Sequence, residues 1–104
     1  MAVIKKSVGP DGAWNGHWMF WCPGCDCAHV YKVVPPEPTW TFDGNEDKPT
    51  FMPSLKCTWP ELDEDDKVIG QNCCHLFVRD GMIQYCGDCT HELAGKTVPM
   101  VDRY

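Results

Sequence analysis

Short runs of β-forming residues, separated by glycine, proline and aspartate, dominate the hydrophobic pattern of this chain. Residues 17–22 (HWMFWC) and 29–34 (HVYKVV) are two such runs, with room for a tight turn between them. Aromatic and β-branched residues favour strands, so the pattern predicts an antiparallel pair here. Two further extended segments are predicted at 39–42 and 50–59. Because Pro53 has no N–H to donate, it restricts the second of these to an edge or a break.

The clearest local signal is a β-hairpin in residues 73–89. Asp80-Gly81 lies between two alternating runs, which is the strongest short-range signature of a two-residue turn. Such a turn fixes the register and pairs residues 76–79 with 82–85. Side chains alternate between the two faces of a strand. The predicted core face carries Leu76, Val78, Ile83, Tyr85, Cys74 and Cys89, and the opposite face carries Cys73, His75, Cys86 and Asp88.

One helical turn is predicted after the hairpin, in residues 90–95 (THELAG), where Thr90 suits an N-cap and Gly95 a C-terminal stop. The tail beyond it is expected to add a last strand. A chain of 104 residues fits one domain. We therefore expect a loose N-terminal lead-in over 1–13 and a single domain over 14–104. The predicted fold class is α+β and β-rich: antiparallel strands and hairpins with one short helix.

Charge and cysteine content narrow the functional classes. The chain has 9 Lys and Arg against 15 Asp and Glu, so its net charge of −6 argues against a nucleic-acid footprint. No apolar run approaches the ~20 residues that span a membrane, and the N-terminus lacks a signal-peptide pattern. We therefore expect a reducing cytoplasm. There, 8 cysteines favour metal binding over disulfides.

A zinc clasp is the leading interpretation of these cysteines. Cys22-Pro23-Gly24-Cys25 has the C-x-x-C spacing of a zinc knuckle, and a second C-x-x-C follows near the other end of the chain. This arrangement is typical of a zinc ribbon. Spacing alone selects one ligand set, and the hairpin register offers another that replaces Cys86 by Cys74. The two sets are Cys22, Cys25, Cys86 and Cys89, or Cys22, Cys25, Cys74 and Cys89.

Histidines near a carboxylate suggest further chemistry. His75 and Asp88 share the outer face of the predicted hairpin, His91 follows Asp88 by three residues, and His29 starts the strand after the first knuckle. Such a group can hold a second ion with an open position or act as a general base. Alternatively, these histidines are structural or exposed, or one of them completes the first zinc site.

Three blocks of the chain resemble a family of small uncharacterised phage and prophage proteins, many of which carry the label "ammonia monooxygenase". The blocks are FWCPGCDCAHV, WTFDGNEDKPTFMPSL and CHLFVRDGMIQYCGDCTHELAGKTV, and the resemblance covers most of residues 18–102. The label is not credible, because that chemistry is membrane-bound and copper-dependent. The family pattern usually has an aliphatic residue at position 86, which favours the ligand set with Cys74.

The resemblance also implies the cytoplasm of a bacterial host cell, and it implies a function. Some members occur in bacterial gene clusters for ubiquitin-like conjugation, where they are proposed peptidases. It implies a zinc-dependent hydrolase acting on a protein tail, with His75 and His91 as ligands or bases. Asp88 would orient one of them and His29 would be a third partner. Ser54 offers another route, as a nucleophile activated by His75.

Two other functions remain open at this point. The chain's size, thiol content and acidic surface also suit a non-enzymatic zinc module that binds a protein partner, such as a phage accessory or host-takeover protein. A weaker alternative is a thiol redox protein using Cys22 and Cys25. The oligomeric state is not predicted.

Overall fold

Eight β-strands in two antiparallel sheets make up the computed structural model, which describes residues 2–36 and 39–102. One sheet has the strand order β1-β2-β3 and the other β4-β5-β6-β7-β8. The strands are β1 (Ile4–Val8), β2 (Trp14–Cys22), β3 (Cys27–Lys32), β4 (Thr41–Phe42), β5 (Phe51–Leu62), β6 (Val68–Arg79), β7 (Met82–Tyr85) and β8 (Thr97–Pro99). No helix capable of crossing a membrane occurs within this part of the chain.

The α+β prediction is wrong, because residues 2–36 and 39–102 contain no helix and the fold is all-β. The segment predicted as helical, 90–95, forms turns instead. Two of its backbone donors find partners in the hairpin: Thr90 N–H donates to Cys73 O at 3.0 Å, and Gly95 N–H donates to Cys86 O at 3.4 Å. Six residues are too few for a stable isolated helix, so these contacts with the hairpin decide the conformation.

The three-stranded sheet contains the first predicted strand pair. β2 and β3 are antiparallel, with Cys22 opposite Cys27 and the turn between them, as the pattern predicted. Every second residue of β2 from Gly16 onward is buried. β1 lies in the 1–13 segment, which we expected to be a loose lead-in, and it pairs with β2 from Ile4 to Val8.

The five-stranded sheet contains the predicted hairpin in the predicted register. Arg79 lies opposite Met82, and Leu76 opposite Tyr85. The predicted core face is buried, including Cys74 and Cys89. The expected last strand is present as β8, which pairs with β7.

β5 contains an irregularity that matters for the site. Between the pairs Phe51–Val78 and Leu55–Leu76, β5 advances four residues while β6 advances two. β5 therefore carries a bulge, and Pro53 lies in it. β4 pairs with β5 only at the residues just before Pro53. The predicted restriction of Pro53 to an edge or a break is confirmed.

An aromatic stack joins the two sheets. The ring of Tyr31 on β3 stacks on Phe51 of β5, with centroids 4.2 Å apart and planes 2° from parallel. Phe20 also stacks on Tyr31, with ring centroids 5.4 Å apart, and Phe42 stacks on Phe51 at 4.8 Å. Burial of such large rings supplies much of the apolar stabilisation of a small domain. The stack also anchors β5 just before its bulge.

Candidate functional site

A serine, a histidine and an aspartate form a hydrogen-bonded chain on the outer face of the five-stranded sheet. The hydroxyl oxygen of Ser54 lies 3.1 Å from His75 Nε2. His75 Nδ1 lies 3.2 Å from each carboxylate oxygen of Asp88. When Nδ1–H donates to the carboxylate, Nε2 is left as the acceptor for the Ser54 hydroxyl. This is the arrangement in which a base activates a hydroxyl nucleophile and a third group orients the base.

Three different elements bring these side chains together. His75 on β6 lies opposite Lys56 of β5, so Ser54, two residues before Lys56, is its diagonal neighbour on the same face. Ser54 lies at the end of the bulge, and β-bulges commonly change the direction of side chains next to active sites. Asp88 lies in the turn after β7, where the hairpin brings it back beside His75.

The groups around Asp88 favour its ionised form. Partial desolvation acts to raise the pKa of this carboxyl, but the hydrogen bond with His75 and the charges of His75 and Lys56 outweigh it, so the pKa is lowered. Lys56 Nζ lies 3.6 Å from Asp88 Oδ2. An ionised carboxylate holds the imidazole in the tautomer that accepts a proton at Nε2.

A cysteine-rich cluster lies on the inner face of the sheets. The sulfurs of Cys22, Cys25 and Cys74 and a ring nitrogen of His29 all lie within 4.8 Å of one another. Cys22 Sγ and Cys74 Sγ are 3.9 Å apart. Two thiolates on one tetrahedral zinc ion, with bonds of ~2.3 Å, would be ~3.8 Å apart. The cluster therefore has the donor types and the spacing of a metal site.

The charges in this cluster also fit a cation. The hydrogen bond with Cys74 lowers the pKa of Cys22 to about 3, against the opposing effect of burial. Burial and the charge of Cys22 raise the pKa of Cys25 to about 11. Without a cation, one thiolate therefore keeps its neighbour protonated. His29 Nε2 is buried without a hydrogen-bond partner among the described residues. A divalent ion would relieve the repulsion and use such donors.

The two other cysteines predicted as ligands, Cys89 and Cys86, lie outside this cluster. Cys89 and His91 form a neighbouring group with Cys74, again within 4.8 Å. The sulfur of Cys89 is engaged by the backbone of His75, at 3.2 Å from its nitrogen and 3.1 Å from its oxygen. Cys86 lies on the other face, in a group with His75 and Asp88. All eight cysteines are free thiols.

The candidate residues thus divide between the two faces. Of the five proposed catalytic side chains, Ser54, His75 and Asp88 lie together, whereas His29 and His91 lie in the cysteine groups. The inward-facing position of His29 could be predicted from the sequence. It lies two residues from buried Tyr31 on the same strand, so both side chains point to the same face. Sequence reasoning missed Lys56, whose position beside Asp88 depends on the β5–β6 register.

Comparison with known proteins bears on the group formed by Ser54, His75 and Asp88. A family model described as the bacterial ubiquitination-like system serine protease, BubE, matches residues 4–86. The chain belongs to the BubE family. The BubE match includes Ser54 and His75 and ends two residues before Asp88. The resemblance to peptidases of bacterial ubiquitin-like systems is thereby confirmed. No curated protein and no solved structure matches the chain.

Proposed function

We propose that this chain is a serine protease in which Ser54 is the nucleophile, His75 the general base and Asp88 the group that orients His75. The observation that carries the proposal is the 3.1 Å contact between the Ser54 hydroxyl and His75 Nε2. Membership of a serine protease family supports it.

The geometry supports an acyl-transfer mechanism. As Ser54 Oγ bonds to the substrate carbonyl carbon, its proton passes to His75 Nε2. His75 then gives that proton to the departing amine as the peptide C–N bond breaks, leaving an ester on Ser54. Water attacks the ester, its proton goes to Nε2, and the acid product leaves as Oγ regains the proton. Asp88 stays ionised throughout and stabilises the imidazolium.

A route through metal-bound water has less support. Both ring nitrogens of His75 already have partners, one in Ser54 and one in Asp88. The two other candidate histidines, His29 and His91, belong to the cysteine groups rather than to this face. His75 therefore serves better as a base than as a ligand.

We assign the metal a structural role, with zinc as the ion. Cys22, Cys25, His29 and Cys74 would hold it, joining the β2–β3 hairpin of one sheet to β6 of the other. A site closed by four protein ligands leaves no position for a reacting water. Zinc would supply folding free energy here, in the manner of small metal-stabilised domains.

The substrate that fits this family is a protein. The family description places its members in a ubiquitination-like system. We therefore propose that the chain cleaves after the tail of a ubiquitin-like protein, either to process a precursor or to release a conjugate. The reaction is hydrolysis of an amide bond, which needs no cofactor beyond the structural ion.

A small covalent probe tests the nucleophile directly. The chain has two serines, Ser54 and Ser7, so Ser7→Ala is a matched control. An alkyl fluorophosphonate should add to wild type and Ser7→Ala on the peptide containing Ser54. Ser54→Ala should stay unmodified and His75→Ala should react at least about a hundredfold more slowly. Equal labelling of wild type and His75→Ala would contradict the proposed mechanism.

A further inference from the structure

We infer that the open edge of β5, immediately after Ser54, binds the substrate tail as an added antiparallel strand. The inference rests on the proposed function and names the part of the molecule that recognises the substrate. β4 pairs with β5 only at Phe51 and Met52. From Lys56 to Leu62, β5 pairs only with β6 among the described residues. A free strand edge therefore begins two residues beyond the nucleophile.

The hydrogen bonds of β6 show which residues of β5 face this edge. His75 N–H points at Cys89 Sγ, and His75 O accepts from Cys86 N–H at 2.8 Å. Both backbone groups of His75 thus point away from β5. In an antiparallel ladder its partner, Lys56, must then point its own N–H and C=O away from β6, toward the open edge.

The same reasoning applies one repeat further along. Cys73 N–H donates to Thr90 Oγ1 and Cys73 O accepts from Thr90 N–H, each at 3.0 Å. Its partner on β5 is Thr58, so Thr58 also presents both backbone groups to the edge. Lys56 and Thr58 are exposed, which leaves these groups accessible.

Both ends of this free edge are closed. On one side, Ser54 O accepts a hydrogen bond from Trp40 Nε1 at 3.1 Å. On the other, the next residue with this orientation is Pro60, opposite Gln71, and proline has no N–H to offer. Two residues, Lys56 and Thr58, thus provide two donors and two acceptors. They match an extended segment of about four residues.

The occupant follows from position and charge. Conjugates of one ubiquitin-like protein differ in the protein that follows the scissile bond, which is the leaving group. An enzyme that cleaves them all must therefore recognise the tail that precedes this bond, which they share. With that bond at Ser54, the preceding residues run toward Pro60, antiparallel to β5. Strand addition uses main-chain groups and so suits an extended tail. Beyond Pro60 lies the acidic segment 61–67 (ELDEDDK), which favours a tail with basic residues upstream.

Two substitutions at one position separate the backbone from the side chain. Thr58→Pro removes the outward N–H and leaves the bonds to β6, whereas Thr58→Val keeps the N–H and removes only the hydroxyl. A library of tetrapeptidyl diphenyl phosphonates should inactivate Thr58→Pro about tenfold more slowly than wild type, as expected for one lost hydrogen bond. Thr58→Val should match wild type. All three proteins should react equally with the alkyl fluorophosphonate.

The outcomes distinguish the two proposals. If the fluorophosphonate fails to modify Ser54 in wild type, the proposed function fails. If Ser54 reacts but the peptidyl probes inactivate wild type and Thr58→Pro at one rate, the edge is not the binding site. Amide hydrogen exchange on wild type gives an answer independent of any variant. Lys56 and Thr58 amides should be at least tenfold more protected in the peptidyl adduct than in the alkyl adduct, and equal protection would overturn the inference.

Discussion

Cys74 of β6 and Cys22 of β2 lie with their sulfurs 3.9 Å apart, although the two strands belong to different sheets. Cys73 precedes Cys74 in sequence but faces the other side of β6. If the proposed ion links the two sheets, Cys74→Ser should abolish metal binding and lower the melting temperature by at least ~10 °C. Metal analysis and calorimetry of protein purified under reducing conditions measure both.

Cys73→Ser is the matched control for this substitution. It removes an adjacent thiol of the same strand that belongs to none of the metal-type groups found in the described residues. Its metal content should equal that of wild type and its melting temperature should change by less than ~3 °C. If Cys74→Ser and Cys73→Ser both kept the metal content and the melting temperature of wild type, the cluster would not hold an ion.

Ser54 and His75 are expected to act as a unit. Each single substitution by alanine should lower kcat at least about a thousandfold, and the double substitution should cost little more than either alone. The reason is that the base has no function without the nucleophile whose proton it takes. Additive losses in the kinetic comparison of the four proteins would mean that the two side chains contribute separately.

Asp88→Asn tests the orienting role. An amide cannot hold Nδ1–H as a carboxylate does, so kcat should fall by about a hundred- to ten-thousandfold, while the melting temperature should fall by no more than ~3 °C because Asp88 is exposed. Glu92→Gln, an exposed acidic residue outside the chain of contacts, should retain activity.

The contribution of the Asp88 carboxylate to the free energy of unfolding depends on pH with a defined sign. The pKa of Asp88 is lowered in the folded protein, so its carboxylate stays ionised throughout the neutral range. Its contribution to stability is present above the pKa of a free aspartate, about 3.9, and is lost as pH falls through the lower folded value. Urea midpoints of Asp88→Asn and wild type should therefore converge only below about pH 4.

Local signals predicted the parts of the fold that depend on near neighbours. Asp80-Gly81 fixed the hairpin register correctly, and with it the separation of Cys74 and Cys89 from His75 and Cys86. The helix prediction was wrong because Thr90 and Gly95 bond their backbone N–H groups to the hairpin, a contact that local propensity does not contain.

The candidate site depends on a distant pairing that the pattern could not supply. Ser54 and His75 meet because a bulge sets the β5–β6 register. Pro53 indicated a break in the strand, but nothing in the sequence gives the number of inserted residues. For that reason the sequence left the choice between Ser54 and a metal-bound water open.

Gly24 provides a test of the packing around the first knuckle. A Cβ at this position would collide with the ring of His91, so Gly24→Ala must displace that ring or the turn. We expect a loss of about 1–3 kcal/mol in the free energy of unfolding. Gly87→Ala is the control, since its Cβ would meet nothing within 4 Å. Similar urea midpoints for the two variants would contradict the close contact.

Phe51 connects the aromatic stack to the site. Its ring is buried against Tyr31, and it is the last residue of β5 paired with β6 before the bulge that carries Pro53. Phe51→Ala should cost about 3–5 kcal/mol of unfolding free energy through the cavity it leaves. Met52→Ala, at a neighbouring position that is 54% exposed, should cost less than about 1 kcal/mol. Because β5 positions Ser54, the rate of fluorophosphonate labelling should fall in Phe51→Ala even where the protein remains folded. Labelling at the wild-type rate would show that the bulge holds its shape without the stack.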